Sequence, residues 1–286
     1  MKLATFDVGG TVRVGLVSED ETTIQLIAAT DMLDVITRWD ALSGSLAAGG
    51  EGVPLSSVKL LAPIPHPRRN IICVGKNYRD HAKEFAQSGF EAGAVAGAEI
   101  DTHPAVFSKP ASTVVGPDAV VETHPGVTDA IDYEVELALV IGRGGRGIKA
   151  ADAFKHIFGY TIVNDVTARD IQKNHKQWFL GKSLDTFCPM GPWITTADAV
   201  DAENLDVKTW VNGELRQDAN TRDLIFTIPS LIETISAGMT LEPGDIIATG
   251  TPSGVGIGFK PPRFLKAGDV VKLSISGIGE LTNRFV

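Results

Sequence analysis

The sequence predicts a β-rich α+β fold built from two unequal units. After residue 70 the chain consists mainly of short apolar strands separated by turns, and helical patterns are fewer. The helices do not alternate regularly with the strands, which argues against an array of βαβ units. A proline cluster from Ala62 to Asn70, APIPHPRRN, fixes several φ angles and removes backbone donors. We therefore expect one unit at residues 1–66 and another at 67–286.

The smaller unit has its own α+β pattern. Two alternating segments, KLATFDV and TVRVGLV, flank Gly9 and Gly10 and predict a hairpin. Asp31 stands just before the segment MLDVITRW, where its side chain is suited to cap a short helix.

The larger unit alternates strand patterns with turn signals. The strand patterns are NIICVG, DYEVELALVIG, YTIVND, LDVKTWVNGE, GDIIATG and DVVKLSISGIG. Asn212 and Gly213 are a strong signal for a hairpin turn between two of these strands. The helical patterns are NYRDHAKEFAQ, KAADAFKHIFG, VTARDIQKNHK and TIPSLIETISAG. Residues 86–106 are small and glycine-dotted, so we expect the segment from His81 to about Val106 to act as a mobile lid.

The composition predicts a soluble, globular and cytoplasmic protein. Of 286 residues 43% are apolar, yet no uncharged apolar run is long enough to span a bilayer, so we expect no membrane partner. The first segment, MKLATFDVGG, reaches Asp7 before the apolar core of a secretory signal could develop. The net charge is −9 and the basic residues are scattered, which argues against a nucleic-acid partner. Cys73 and Cys188 lack CxxC spacing and are expected to be buried thiols.

Two acids interrupt the strand pattern between Asp129 and Gly144. Glu134 and Glu136 occupy alternate positions, so a strand places both carboxylates on one face, about 7 Å apart. Like charges at this distance repel each other, and burial would add a further cost. Either the two acids lie on a solvated strand edge, or a cation lies between them.

A third acid favours the cation. Asp165 ends the apolar strand pattern YTIVND, just before a helical pattern that the Thr167 region is suited to open. Together with Glu134 and Glu136 it would form an all-oxygen set on one face of Mg²⁺ or Mn²⁺, which leaves open positions for water or substrate.

Two glycine-rich stretches allow alternative interpretations. Phe6 to Val17, FDVGGTVRVGLV, resembles the first phosphate hairpin of sugar kinases and actin-like ATPases, but the later motifs of that fold are not found in plausible form. Gly142 to Gly147, GRGGRG, formally satisfies the dinucleotide-binding pattern after a strand. The first strand of such a fold should be continuously apolar, whereas this one carries two glutamates. An ordinary hairpin explains the first stretch equally well, and a tight glycine-rich turn suffices for the second.

Several ordered motifs together resemble the fumarylacetoacetate hydrolase superfamily. They are CVGKNYRDHAKE, FSKPASTVVGP, DYEVELALVIG, GYTIVNDVTARDIQ, QWFLGKSLDTFCPMGPW, VNGELRQ, PGDIIATGTPSGVG and FLKAGDVV, spread over about residues 70–286. The resemblance implies a mixed β-roll catalytic domain that is usually dimeric. It also implies a bound Mg²⁺ or Mn²⁺ and a small 2-oxo or 2,4-dioxo acid as the substrate.

The resemblance also implies roles for individual residues. The family metal ligands fall on Glu134, Glu136 and Asp165. Lys182 matches the family lysine beside the metal, where it would offset negative charge and stabilise an enolate. Lys109, in FSKP, is placed similarly and is expected to contact substrate.

The remaining expected roles concern the base and the substrate loops. His81 and Glu84 lie three apart in a helical pattern and can meet on one face; in the family such a pair deprotonates water. Gln172 matches a family position near the reacting carbonyl. Thr251 matches a loop that contacts substrate.

The expected activity is hydrolysis of a C–C bond in a 2,4-dioxo acid of the acylpyruvate or fumarylpyruvate type, through a metal-stabilised enolate. An alternative on the same fold is a decarboxylase or tautomerase of oxaloacetate-like acids, which uses the same metal and enolate but need not activate water. The motifs do not separate these outcomes. The alternative from another class is a nucleotide-dependent sugar kinase, based on Phe6 to Val17 alone.

Overall fold

The structure, a computed structural model, describes residues 1–46, 52–90 and 102–286. Its strands are β1 (Lys2–Val8), β2 (Thr11–Val17), β3 (Thr23–Leu26), β4 (Val53–Pro54), β5 (Lys59–Leu60), β6 (Ile71–Gly75), β7 (Ala105–Lys109), β8 (Val114–Val115), β9 (Val120–Val121), β10 (Ile131–Asp132), β11 (Val135–Ile141), β12 (Ile157–Asn164), β13 (Thr167–Ala168), β14 (Cys188–Thr196), β15 (Asp206–Val211), β16 (Glu214–Asn220), β17 (Ile246–Ala248), β18 (Val270–Ile275) and β19 (Gly279–Phe285). Its helices are α1 (Met32–Thr37), α2 (Trp39–Leu46), α3 (Arg79–Gln87), α4 (Arg169–Asn174), α5 (Phe179–Lys182) and α6 (Ile228–Ser236). The predicted β-rich α+β class is confirmed. Among the described helices, none is long and apolar enough to cross a membrane.

Two large sheets form the body of the described chain. The main sheet has the order β4-β3-β2-β1-β14-β12-β11-β17-β6-β7, with β5 beside β1 and β8 beside β14. The second sheet has the order β16-β15-β18-β19-β9, and β10 pairs with β13 separately. Most pairs are antiparallel, but β6 with β17, β8 with β14 and β9 with β19 run parallel. The sheets are therefore mixed, as the family resemblance implies.

Strand β11 separates the two largest apolar cores. Leu139 packs in the core shared with Leu273 of the second sheet. Ala138 and Val140, on the other face, pack in a core that includes Val35 of helix α1. Apart from Glu136, β11 is therefore apolar on both faces. On the face that carries the acids, N-terminal residues such as Leu3 and Val35 share a core with Ala138 and Val140.

Local sequence signals account for several element ends. Asp31 caps α1 as predicted, since its side chain accepts a hydrogen bond from the backbone N–H of Asp34. Asn212 and Gly213 both have positive φ, at 51° and 83°, and join β15 to β16 in the predicted hairpin. The predicted helix in KAADAFKHIFG is instead a 3₁₀ segment, Ala150–His156.

The N-terminal residues extend the main sheet. Leu3 of β1 lies opposite Ile194 of β14, so one sheet runs through both predicted units. At the β1–β2 turn, Asp7 Oδ1 accepts a hydrogen bond from the backbone N–H of Gly10 at 2.8 Å. The division near residue 66 stays a prediction.

Candidate active site

Three carboxylates meet where β11 and β12 lie side by side. Glu136 lies in β11, Glu134 directly precedes β11, and Asp165 directly follows β12. The backbone N–H of Asp165 donates to the carbonyl of Glu134 at 2.9 Å. Carboxylate oxygens from the three side chains lie within 4.8 Å of one another, and all three residues are buried. The structure thus brings together the three acids that the sequence singled out.

Two buried lysines contact these carboxylates from different sides. Nζ of Lys182 lies 2.7 Å from Oε2 of Glu134 and 2.6 Å from Oδ2 of Asp165. Nζ of Lys109 lies 2.7 Å from Oδ1 of Asp165, and it donates to the backbone carbonyls of Val166 and Lys182 at 3.0 and 2.6 Å. An ammonium group has three N–H donors. In this arrangement Lys109 has no donor left for a substrate and instead holds Asp165 in place.

Sequence reasoning missed a buried arginine and its partner acid. Nε of Arg169 donates to Oδ2 of Asp132 at 2.9 Å, and Nη2 of the same guanidinium lies 2.5 Å from Oε1 of Glu134. Nη1 of Arg169 donates to Oε1 of Gln172 at 3.2 Å. Arg169 stands in the quoted motif ARDIQ, so it could have been singled out there. Asp132 carries no local signal, because its contact depends on the pairing of β10 with β13.

The electrostatic environment differs between the two glutamates. Burial and the negative charges of Asp165 and Glu134 raise the pKa of Glu136 well above its ordinary value. Burial also opposes ionisation of Glu134, but the positive charges of Lys182 and Arg169 outweigh burial and lower the pKa of Glu134. Burial opposes the charge of Lys182 as well, yet Asp165 and Glu134 raise the pKa of this lysine. Glu136 is therefore the carboxylate whose charge is least compensated.

The donor set fits a hard divalent cation. Glu136 accepts a hydrogen bond from the backbone N–H of Gly250 at 2.8 Å, but it forms no ion pair within the described residues. Carboxylate oxygens are preferred ligands of Mg²⁺ and Mn²⁺, and adjacent ligands of such an ion lie roughly 3 Å apart. Small side-chain movements would bring the three oxygens to that spacing. Glu134, Glu136 and Asp165 are therefore the residues that could hold the metal.

The predicted histidine–glutamate pair is also present. His81 and Glu84 lie on one face of α3, with Nδ1 of His81 3.1 Å from Oε2 of Glu84. The other oxygen of Glu84 accepts a hydrogen bond from the backbone N–H of Gly254 at 3.0 Å. Each carboxylate oxygen of Glu84 thus has a partner. The side chain of Glu84 is therefore held in place, with Nδ1 of His81 as the ring nitrogen that faces it. Gly258 leaves room for this carboxylate, because a Cβ at that position would collide with it.

One cleft joins most of these groups. Its lining includes six of the sequence-predicted site residues, which are His81, Glu134, Glu136, Gln172, Lys182 and Thr251. The remaining three, Glu84, Lys109 and Asp165, each contact a residue of this lining directly. Trp178 and Phe107 form an aromatic wall with ring centroids 5.3 Å apart. Residues 91–101 of the predicted lid lie outside the described residues.

A third residue that sequence reasoning missed lies behind the cleft. Gln217 of β16 is fully buried and donates through Nε2 to Oγ1 of Thr251 at 2.9 Å. It stands in the quoted motif VNGELRQ, but its contact with the Thr251 loop spans 34 residues of sequence. Only the fold brings the two together.

Comparison with known proteins gives consistent matches over the whole chain. A family model described as fumarylacetoacetate (FAA) hydrolase C-terminal matches residues 70–286, and one described as Rv2993c-like, N-terminal matches residues 1–63. The chain is 48% identical to oxaloacetate tautomerase YisK of Bacillus subtilis (strain 168), over 99% of both chains. Two solved structures cover 100% of this chain and 99% of their own. Fumarylacetoacetate hydrolase from Exiguobacterium antarcticum has a TM-score of 0.86 at 43% identity. Maleylpyruvate hydrolase from Sphingobium sp. SYK-6, in complex with manganese (II) ion and pyruvate, has a TM-score of 0.80 at 38% identity.

Proposed function

Because this chain belongs to the fumarylacetoacetate hydrolase superfamily, we propose that it is a Mg²⁺- or Mn²⁺-dependent tautomerase that interconverts the keto and enol forms of an oxaloacetate-type 2-oxo acid. The observation that carries this proposal is the meeting of the three carboxylates with Lys182 at a cleft that His81 also lines. Of the activities that this set of groups can perform, tautomerisation is the one for which a relative similar over nearly the full length of both chains is named.

The charge balance of the cleft supports an anionic substrate. The fully buried charges at the site are the carboxylates of Asp132, Glu134, Glu136 and Asp165 and the basic groups of Lys109, Lys182 and Arg169. Four negative and three positive groups leave one net negative charge when all are ionised. A bound dication would supply Lewis-acid polarisation of a carboxylate and 2-oxo oxygen, and it would turn this balance into one net positive charge. A 2-oxo acid would then be attracted rather than repelled.

His81 is suited to move a proton at the carbon next to the carbonyl. With Glu84 facing Nδ1, the neutral imidazole carries its proton on Nδ1 and leaves Nε2 as the acceptor. In the proposed reaction Nε2 takes a proton from the substrate carbon, and the imidazolium then returns a proton to the 2-oxo oxygen, so that the enol forms and His81 is neutral again. The ammonium of Lys182, which lines the same cleft, would stabilise the negative charge that develops on that oxygen. No water needs to react in this scheme.

Hydrolysis of an acylpyruvate is the second candidate. The same His81–Glu84 pair is what activation of a water molecule requires, and a similar solved structure is a maleylpyruvate hydrolase. Decarboxylation of oxaloacetate would use the same enolate without such a base. The homodimer that the family resemblance implies stays a prediction.

A substrate screen tests the proposal directly. Oxaloacetate, acetylpyruvate and fumarylpyruvate are each supplied with Mg²⁺, with Mn²⁺ and with a chelator, and enol absorbance, acid products and carbon dioxide are recorded separately. We expect rapid metal-dependent change between keto and enol oxaloacetate without net consumption. Cleavage of the acylpyruvates with no effect on oxaloacetate would favour the second candidate. Nucleotide-dependent phosphate transfer to a sugar would instead indicate the kinase alternative.

A variant pair then tests the role of His81. We expect His81→Ala to lower the tautomerisation rate by about 10²–10⁴-fold, the usual contribution of a general base, and Glu84→Gln to lower it less. Metal affinity, measured by calorimetry, should be nearly unchanged in both. The exposed His66 provides the matched control, and His66→Ala should retain the parent rate. A parent-like rate in His81→Ala would rule out this histidine as the base.

A further inference from the structure

Gln217 connects the metal-ligand strand to the loop that carries Thr251. Its Oε1 accepts hydrogen bonds from the backbone N–H of Val135 at 3.2 Å and from Oγ1 of Thr209 at 2.8 Å. Its Nε2 donates to Oγ1 of Thr251 at 2.9 Å and to the carbonyl of Pro252 at 2.7 Å. Val135 lies between Glu134 and Glu136. All four hydrogen-bonding positions of this buried amide are therefore filled.

The orientation of the amide follows from its partners. The backbone N–H of Val135 can only donate, so the group that faces it must be the amide oxygen. The carbonyl of Pro252 can only accept, so the group that faces it must be the amide nitrogen. A flipped amide would make both contacts repulsive. The contact with Thr251 therefore has one direction, with Gln217 as the donor.

This direction determines what the Thr251 hydroxyl can do. Its oxygen accepts from Gln217, and the nitrogen of Gln217 cannot accept the hydroxyl proton in return. Within the described part of the chain, this hydroxyl donates no hydrogen bond of its own. Thr251 is a buried residue that lines the cleft with Glu136 and Lys182. Its proton is therefore available to a group bound in the cleft.

We propose that Gln217 is a positioning residue that holds the Thr251 hydroxyl as a hydrogen-bond donor to a carboxylate of the substrate. A carboxylate accepts hydrogen bonds and cannot donate them, so it matches this fixed donor, whereas a neutral amide matches it less well. The inference rests on the proposed function for the substrate class, a 2-oxo acid. It adds a reason why the site selects the acid over an amide of the same shape.

Binding of pyruvate to the Mn²⁺-loaded full chain tests the inference without turnover. Calorimetric titrations compare the parent chain with Gln217→Met, with Thr251→Val and with the double variant. We expect Thr251→Val to weaken pyruvate binding by about 10–100-fold, as for loss of a hydrogen bond to a charged group. Gln217→Met alone should weaken it by up to roughly tenfold, as for other supporting contacts behind a site. In the Thr251→Val background the same change should have no further effect, because Gln217 acts through the hydroxyl.

Two controls separate this role from a purely structural one. Thr251→Ser keeps the hydroxyl and should bind pyruvate like the parent chain. The parent chain should also prefer pyruvate to pyruvamide, and Thr251→Val should reduce that preference even if Gln217→Met fails to fold. The inference would be overturned if Gln217→Met lowered pyruvate affinity equally in the parent and Thr251→Val backgrounds. An unchanged preference of Thr251→Val for pyruvate over pyruvamide would overturn it as well. If oxaloacetate is not turned over but pyruvate binding follows the expected pattern, the proposed function fails and the inference stands.

Discussion

The N-terminal residues and the candidate active site share one sheet, but their acidic side chains lie in opposite environments. Asp7, at the β1–β2 turn, is only partly buried, and it accepts a hydrogen bond from the backbone of Gly10 three residues away. Asp34 on α1 pairs with the half-exposed Arg38 at 2.9 Å. Glu136, in contrast, is 1% exposed and lies beside two further carboxylates.

This difference shows which acids need a ligand to explain them. The local hydrogen bond of Asp7 accounts for an acid next to glycines in the FDVGGTV hairpin, so that motif requires no nucleotide phosphate. Glu136 accepts a backbone hydrogen bond of the same length from Gly250, but it is buried among like charges and forms no ion pair within the described residues. Burial without compensation is costly for a carboxylate, and a bound cation removes that cost.

Removal of the metal-binding charge is expected to have the largest effect. Glu136→Gln keeps the side-chain shape but removes one ligand charge, so Mg²⁺ affinity should fall by at least about 100-fold and activity should approach the uncatalysed background. Asp7→Asn is the matched control in the other region, and it should retain metal affinity and activity. Calorimetry and the oxaloacetate assay measure both quantities. Unchanged Mg²⁺ binding in Glu136→Gln would place the metal site elsewhere.

Loss of a buried positive charge is expected to be the next largest effect. Lys109→Met removes one of the two buried lysines that contact Asp165 and takes a donor from two backbone carbonyls, which should lower the free energy of unfolding by about 3–5 kcal/mol. Arg38→Met removes an exposed pair on α1 and should cost less than about 1 kcal/mol. Urea unfolding of both variants gives the two values. Similar losses of unfolding free energy in the two variants would contradict the expected difference between buried and exposed ion pairs.

The smallest expected effect concerns the pH dependence of the metal-free protein. Because the pKa of Glu136 is raised on folding, the folded chain binds a proton more tightly there than the unfolded chain does. Stability should therefore fall as the pH rises from about 4.5 towards the raised pKa, by at most about 1.4 kcal/mol per pH unit. The lowered pKa of Glu134 acts in a separate window, because its contribution is lost only as the pH falls below about 4.5.

Glu136→Gln provides the test of that pH dependence. The variant cannot titrate at this position, so the fall in stability above pH 4.5 should be reduced, while the loss at lower pH should remain. Thermal unfolding of chelator-treated samples measures the stability of both proteins in the two pH ranges. If stability falls by the same amount above pH 4.5 in the parent chain and in the variant, another group must cause that fall.

The features that the sequence predicts correctly depend on short spacings. Period two places Glu134 and Glu136 together, and a spacing of three brings His81 to Glu84 on a helix. Asp165 was identified because it ends an apolar run, and the hairpin at Asn212 because its turn residues tolerate positive φ. Each of these signals acts within a few residues, so tertiary structure is not needed to see it.

The features that the sequence does not predict depend on register between distant segments. Asp132 meets Arg169 because β10 pairs with β13, and Gln217 meets Thr251 because β16 lies against a loop far along the chain. The second buried face of β11 depends likewise on N-terminal residues that pack across it. Hydrophobic patterns identify strands, but they do not say which strands become neighbours.

The junction between β1 and β14 limits how the chain can be divided. Strand β14 has β12 on one side and β1 on the other, and its residues Met190 and Ile194 belong to the core that the N-terminal segment covers. A truncated chain that began at residue 67 would leave part of β14 as a bare edge strand with unpaired N–H and C=O groups beside apolar side chains. Such edges recruit strands from other molecules. The excised catalytic unit would therefore be prone to aggregate through β14, even though every residue of the candidate active site would still be present.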